Sequence, residues 1–155
     1  MSDIAQTRNA RLDVLRHRRM QAAAVDLIAA VSDELGEPRP VPLDSATSLA
    51  LQATLATHVR GLRTRAGQLV DTFTVKAVVD EVATHLTRLG PDVVTQHHAE
   101  GAPGGFFVGA CSSAFLRAWL IAGNEGVVIV RPDLSAGLVL DTSDEPRRRA
   151  RLEWW

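Results

Sequence analysis

Gly90-Pro91-Asp92-Val93-Val94-Thr95-Gln96-His97-His98 is where this chain changes its period. Before it, apolar residues recur at three- and four-residue spacing. After it, they come in short β-rich runs split by glycine, proline and aspartate. The first pattern predicts helices and the second predicts strands. Gly90-Pro91 stops the last helix of the N-terminal half, and residues 93–98 open a sheet. Residues 105–110 predict a second strand, joined to the first by the loop-forming run Glu100-Gly101-Ala102-Pro103-Gly104. Residues 112–122 predict a short helix with Phe115, Leu116, Trp119 and Leu120 on its inner face. Residues 126–131, 138–142 and 149–155 complete the sheet. In the last of these, Ala150, Leu152 and Trp154 share one face, and Arg149, Arg151, Glu153 and Trp155 share the other.

Toward the N-terminus, residues 3–35 contain neither Pro nor Gly. Met20, Ala24, Leu27, Ile28, Val31 and Leu35 follow a helical period, and Gly36 with Pro38, Pro40 and Pro42 ends it. Residues 8–19 are more polar and predict a basic arm that frays or projects. A second helix begins at Asp44 or Ser45, both good N-caps. Its seam of Leu55, Val59, Leu62, Ala66, Leu69 and Phe73 repeats like a heptad. A phase change at residues 72–74 then starts a third helix through Val75, Val78, Val79, Val82, Leu86 and Leu89. The expected order is α-α-α-β-β-α-β-β-β. That is a single α+β domain over residues 1–155, with long helices on an antiparallel sheet of four to five strands.

The 155 residues carry a formal net charge of −1, which does not point to nucleic acid or a membrane surface. The basic residues are sixteen Arg and one Lys, Lys76, which with the many Ala fits a GC-rich bacterial genome. A single cysteine, Cys111, cannot form an intrachain disulfide and fits a reducing compartment. The first ten residues show no apolar signal region, and no run approaches a membrane span. The expected location is the cytoplasm.

Few residues could carry chemistry. Cys111 lies at a strand-to-helix junction, where helix N–H groups could activate a thiolate. The run Ala110-Cys111-Ser112-Ser113 is similar to the nucleophile turn of ketoacyl synthases, but only over these four residues. That family needs a much longer chain and downstream histidines, whereas the last histidine here is His98. The bland alternative is a small packed residue beside Ser112 as N-cap. His97 and His98 are metal candidates by type, yet neighbours in a strand point to opposite faces. Gly101–Gly105 lacks the Lys-Ser/Thr of a phosphate-binding loop. The arginines at 8–19 and at 147–151 are interrupted by Asp13, Asp144, Glu145 and Glu153, so nucleic acid is not expected.

The expected function is therefore a protein-binding module, an immunity, chaperone or regulatory partner, with no cofactor and no metal. A small-molecule sensor holding its ligand between sheet and helices is the first alternative, and a Cys111-dependent enzyme the second. The expected partner surface is the seam Leu55, Val59, Leu62 and Leu69, together with Trp155. That surface would serve another protein or a symmetric homodimer.

Overall fold

The computed structural model describes residues 2–62, 66–70, 74–99, 102–109, 111–144 and 149–155. Four helices, α1 (Ser2–Leu35), α2 (Ser45–Gly61), α3 (Val75–Leu89) and α4 (Ser113–Ile121), pack on one sheet. Its strands are β1 (Val41–Pro42), β2 (Ala66–Val70), β3 (Val94–Ala99), β4 (Ala102–Val108), β5 (Gly126–Val130), β6 (Gly137–Asp144) and β7 (Arg149–Trp154). They lie in the order β1-β4-β3-β5-β6-β7-β2, and every neighbouring pair is antiparallel. The α+β class is as the sequence implies.

The helix ends follow local rules. Gly36 closes α1 at φ 65°, with Gly36 N–H on the Asp33 carbonyl at 3.1 Å and Glu37 N–H on the Ser32 carbonyl at 2.9 Å. That double closure needs a left-handed residue, which glycine supplies without strain. Arg39 then clamps Asp33 with two N–H donors and pins the turn that follows. Asp44, Thr74 and Ser112 cap α2, α3 and α4, each accepting a backbone N–H three residues ahead.

Two apolar clusters sit on opposite faces of the sheet. On one face, α1, α3 and α4 cover Phe107, Val127, Ile129, Leu138, Leu140, Ala150 and Leu152 with Ile28, Val78, Val82, Leu116 and Trp119. On the other, α2 brings Leu51, Leu55 and Val59 over Val94, Phe106, Val128 and Val130, with Leu134 and Trp155 alongside. The β7 alternation holds: Ala150, Leu152 and Trp154 join the first cluster and Trp155 joins the second. Gly137 is glycine because a Cβ there would press on the Trp155 indole, 2.5 Å from Cζ2. Trp155 Nε1 donates to the Leu134 carbonyl at 3.0 Å.

The seam over residues 55–73 is not one helix. Helix α2 ends at Gly61, Leu62 is extended, and Ala66–Val70 is a strand paired with β7. Gly61 and Gly67 already weaken a helix there by about 1 kcal/mol each. The larger reason is that β7 would otherwise be a bare sheet edge, and β2 closes it through pairs such as Gln68↔Leu152. Among the described residues the sheet consequently has seven strands rather than four to five. Both additions, β1 and β2, are edges supplied by the N-terminal half. The predicted break at 72–74 falls mainly outside the described residues, but the start of α3 behind Thr74 is as expected. Strand β4 begins earlier than its glycines suggested, at Ala102.

Helix α2 is tied to the sheet by one buried hydrogen bond. Ser48 is fully buried, and its Oγ accepts the Phe106 backbone N–H at 2.7 Å. Replacing it orphans a buried donor. Ser48→Ala is expected to lower unfolding stability by roughly 1–3 kcal/mol in urea titration. A change within error would show that this bond does not anchor α2.

Candidate functional site

Histidines 97 and 98 diverge, as strand geometry demands. His97 is 1% exposed and lies edge-on to Phe107, Phe115 and Trp119, with ring centroids 5.9, 5.1 and 5.3 Å away. Its Nδ1 has no hydrogen-bond partner among the described residues. Burial, and secondarily the His98 charge, pushes its pKa down to about 3. His98 lies on the other face, where its Nε2 meets Gln96 Oε1 at 3.2 Å. Desolvation lowers its pKa too, against a raising pull from Asp141. Among the described residues no three His, Cys, Asp or Glu side chains converge on a possible metal position. Glu100 lies outside the described residues.

Cys111 packs in the first cluster at 4% exposure. Burial, with the Glu37 charge adding to it, pushes its thiol up to about 12. The free N–H groups of α4 do not serve it. Ser112 takes the Phe115 N–H at 3.0 Å and donates its own hydroxyl to the Glu37 carboxylate at 2.9 Å. Cys111 therefore stays a thiol at neutral pH, the opposite of an activated nucleophile.

The seam residues are used inside the chain. Leu55 is buried under α2, Val59 and Trp155 pack half-buried against the same cluster, and Leu62 is half-buried just past the helix end. Leu69 is placed by backbone register opposite Arg151. Trp155 packs near the α2 ring of His58, at 6.2 Å between centroids. Of the expected partner surface, Leu55, Val59 and Trp155 therefore belong to the second core. Of the basic tail, Arg147 and Arg148 lie outside the described residues, and Arg151 pairs with Glu153. These two, with Val139 and Asp141, line an open groove of about 300 Å³ on β6 and β7.

The surface that stays open is helix α1. Only its C-terminal half packs, through Gln21, Ala24, Ile28 and Ser32. Gln21 reaches across to the Leu43 carbonyl at 2.7 Å and lies against Gly105, where a Cβ would strike its side chain. Before Gln21, nearly every described side chain back to Gln6 is exposed. This is about 20 Å of helix at 1.5 Å per residue. Leu12 and Leu15 stand 41% and 53% exposed on it, among Arg8, Arg11, Arg16, Arg18 and Arg19. The polar composition of 8–19 made the arm legible. The leucines within it and the acidic second half of α1 were the signals the sequence reading left unused. Among the described residues, no helix is long and apolar enough to cross a membrane.

Compared with known proteins, the chain matches no family model, no curated protein and no solved structure at significance.

Two outcomes follow from the buried groups. The unfolded chain protonates His97 below about pH 6.5, whereas the folded chain resists until about pH 3. The His97 contribution to folding stability is therefore complete above pH 6.5 and is lost as pH drops toward 3, at up to about 1.4 kcal/mol per pH unit. His98 and His85, also lowered, add in the same direction. His97→Phe should flatten the pH 4–6.5 limb of unfolding curves, roughly in proportion to the one His lost; an unchanged slope would contradict the assignment. For Cys111, a disulfide reagent at neutral pH should label slowly and speed up in urea. Stoichiometric labelling within seconds in the native state would refute burial of the thiol.

Proposed function

We propose that this chain is a cytoplasmic protein-binding module, an immunity, chaperone or regulatory partner, that docks through the exposed half of α1. The observation that carries the reading is the arm itself. This arm continues outward from the packed half of α1, and it displays two leucines to solvent. A partner that covers Leu12 and Leu15 stabilises the helix and removes apolar surface from water. Interleaved Leu and Arg suit a protein surface better than a phosphate backbone, which contacts the arginines and leaves the leucines wet.

The alternatives gain less from the structure. A sensor of the expected kind needs room between the sheet and its helices. There Trp119, Phe107, Leu116, Ile129, Leu138 and Leu140 fill the space, each 1% exposed or less. An enzyme built on Cys111 needs a thiolate that the site disfavours.

The test is site-specific photo-crosslinking in cells. A photoreactive residue replaces Leu15 in one strain, and in another it replaces Thr87, which is exposed on α3. A defined protein adduct is expected from position 15 and not from position 87. The absence of any protein adduct at position 15, or the same adducts from both positions, would overturn the reading.

A further inference from the structure

Helix α1 has a second side worth reading. Its packed residues, Gln21, Ala24, Ile28 and Ser32, define one face. On the opposite face runs the stripe Arg8, Leu12, Leu15, Arg19, Ala22, Asp26, Ala30 and Asp33, all exposed, at three- and four-residue spacing. Such spacing is what side-by-side helix pairs use. The stripe is open from Arg8 to Asp33, on the packed half as well as on the arm, and Leu27 beside it is 42% exposed.

Charge is segregated along it. Between residues 8 and 19 there are five arginines against one acid, Asp13. Between residues 20 and 35 there are three acids, Asp26, Asp33 and Glu34, and no Arg or Lys. This order gains nothing from the helix's own dipole, which favours cations, not Asp33 and Glu34, at the C-terminal turn. It does suit an identical helix lying antiparallel.

We propose that the outward face of α1 pairs antiparallel with the same face of a second copy of this chain. The proposal rests on the reading of α1 as the docking element and names its partner. With the two-fold axis near Gln21, Arg8 comes level with Glu34 of the other helix, beside the Asp33 that Arg39 already clamps. Leu12 comes level with Ala29 and Ala30, and Leu15 and Arg16 with Asp26 and Leu27. Every attraction occurs twice by symmetry. The alanines near the axis let the helices approach, and Leu12, Leu15 and Leu27 lose their exposure. A parallel pair would instead set arginines against arginines. Opposed helix dipoles also favour the antiparallel arrangement. Because the ion pairs sit at the surface, the pairing weakens with salt.

Sedimentation of the purified full-length chain tests this. At about 200 µM and low salt the mass should approach that of two chains, with the dissociation constant rising roughly tenfold or more toward 0.5 M salt. Arg8→Glu with Arg16→Glu should yield a monomer, because the first half of α1 then carries three arginines against three acids and no longer attracts the acidic half. Asp26→Arg with Glu34→Arg should yield a monomer because both halves are then basic. An equimolar mixture of the two double variants should dimerise again, since each helix now offers what the other lacks. All four positions are exposed, so thermal unfolding of the separate variants checks that the fold is kept. A strictly monomeric parent, double variants that remain dimers, or a mixture that stays monomeric would each overturn the proposal. Failure here is distinguishable from failure of the docking role. A monomeric parent that still gives a heterologous adduct at position 15 in cells keeps α1 as a docking element and removes only the second copy.

Discussion

Strands β3 and β5 are buried on both faces, and the rest of the molecule is arranged to make that possible. Val127, Val128, Ile129 and Val130 are all buried, as are Val94, Thr95, Gln96 and His97 beside them. Such strands need cover on two sides and a hydrogen-bonded neighbour on each edge. Helices α3 and α4 with half of α1 supply one cover, and α2 supplies the other. Strands β4 and β5 run parallel with β3 between them, and α4 makes the crossover. That connection brings Trp119 over the sheet, where its Nε1 donates to the Gly126 carbonyl at 3.2 Å.

The two-sided core sets the protonation of groups that looked available for chemistry. His97 occupies a core position, so its ring is neutral and surrounded by aromatic edges. Cys111 sits where the crossover helix begins, and the same burial that packs it keeps its proton on. Trp155 and the residues of α2 that face the sheet complete the second core. Polar groups that remain near the core have local structural jobs: Ser48 on β4, Ser112 on Glu37, and Arg131 bracing the end of α3 through the Leu89 carbonyl at 3.2 Å.

Much of α1 is surface that the fold does not need. Helix α1 runs for 34 residues, well beyond the span a short-stranded sheet can cover. Its buried half is secured by Ile28 and Gln21, and its free half continues the same helix outward. A rigid extension of this kind costs little to hold in place, because the packed half has already nucleated it. In the open groove on β6 and β7, Arg151 is paired with Glu153.

The sequence by itself determined the elements whose signals are local. Gly36, Asp44, Thr74, Gly90 and Ser112 mark helix ends through backbone geometry and capping, which depend on a few neighbouring residues. The change from helical to strand period at Gly90, the alternation in β7, the divergence of His97 and His98, and the basic arm were equally legible. Only the tertiary structure decided the rest. The spacing of Leu55, Val59, Leu62, Ala66 and Leu69 satisfies a helical seam as well as it satisfies a helix followed by a strand. What separates them is the unpaired edge of β7, which lies far away in sequence and captures Ala66–Val70. Strand β1 is two residues long and exists because β4 is there to bond it. Which face of the sheet α2 covers, and hence that Leu55 and Val59 pack into a second core, follows from β3 and β5 needing burial on both sides. That is a property of the assembled sheet, and no single stretch of sequence carries it.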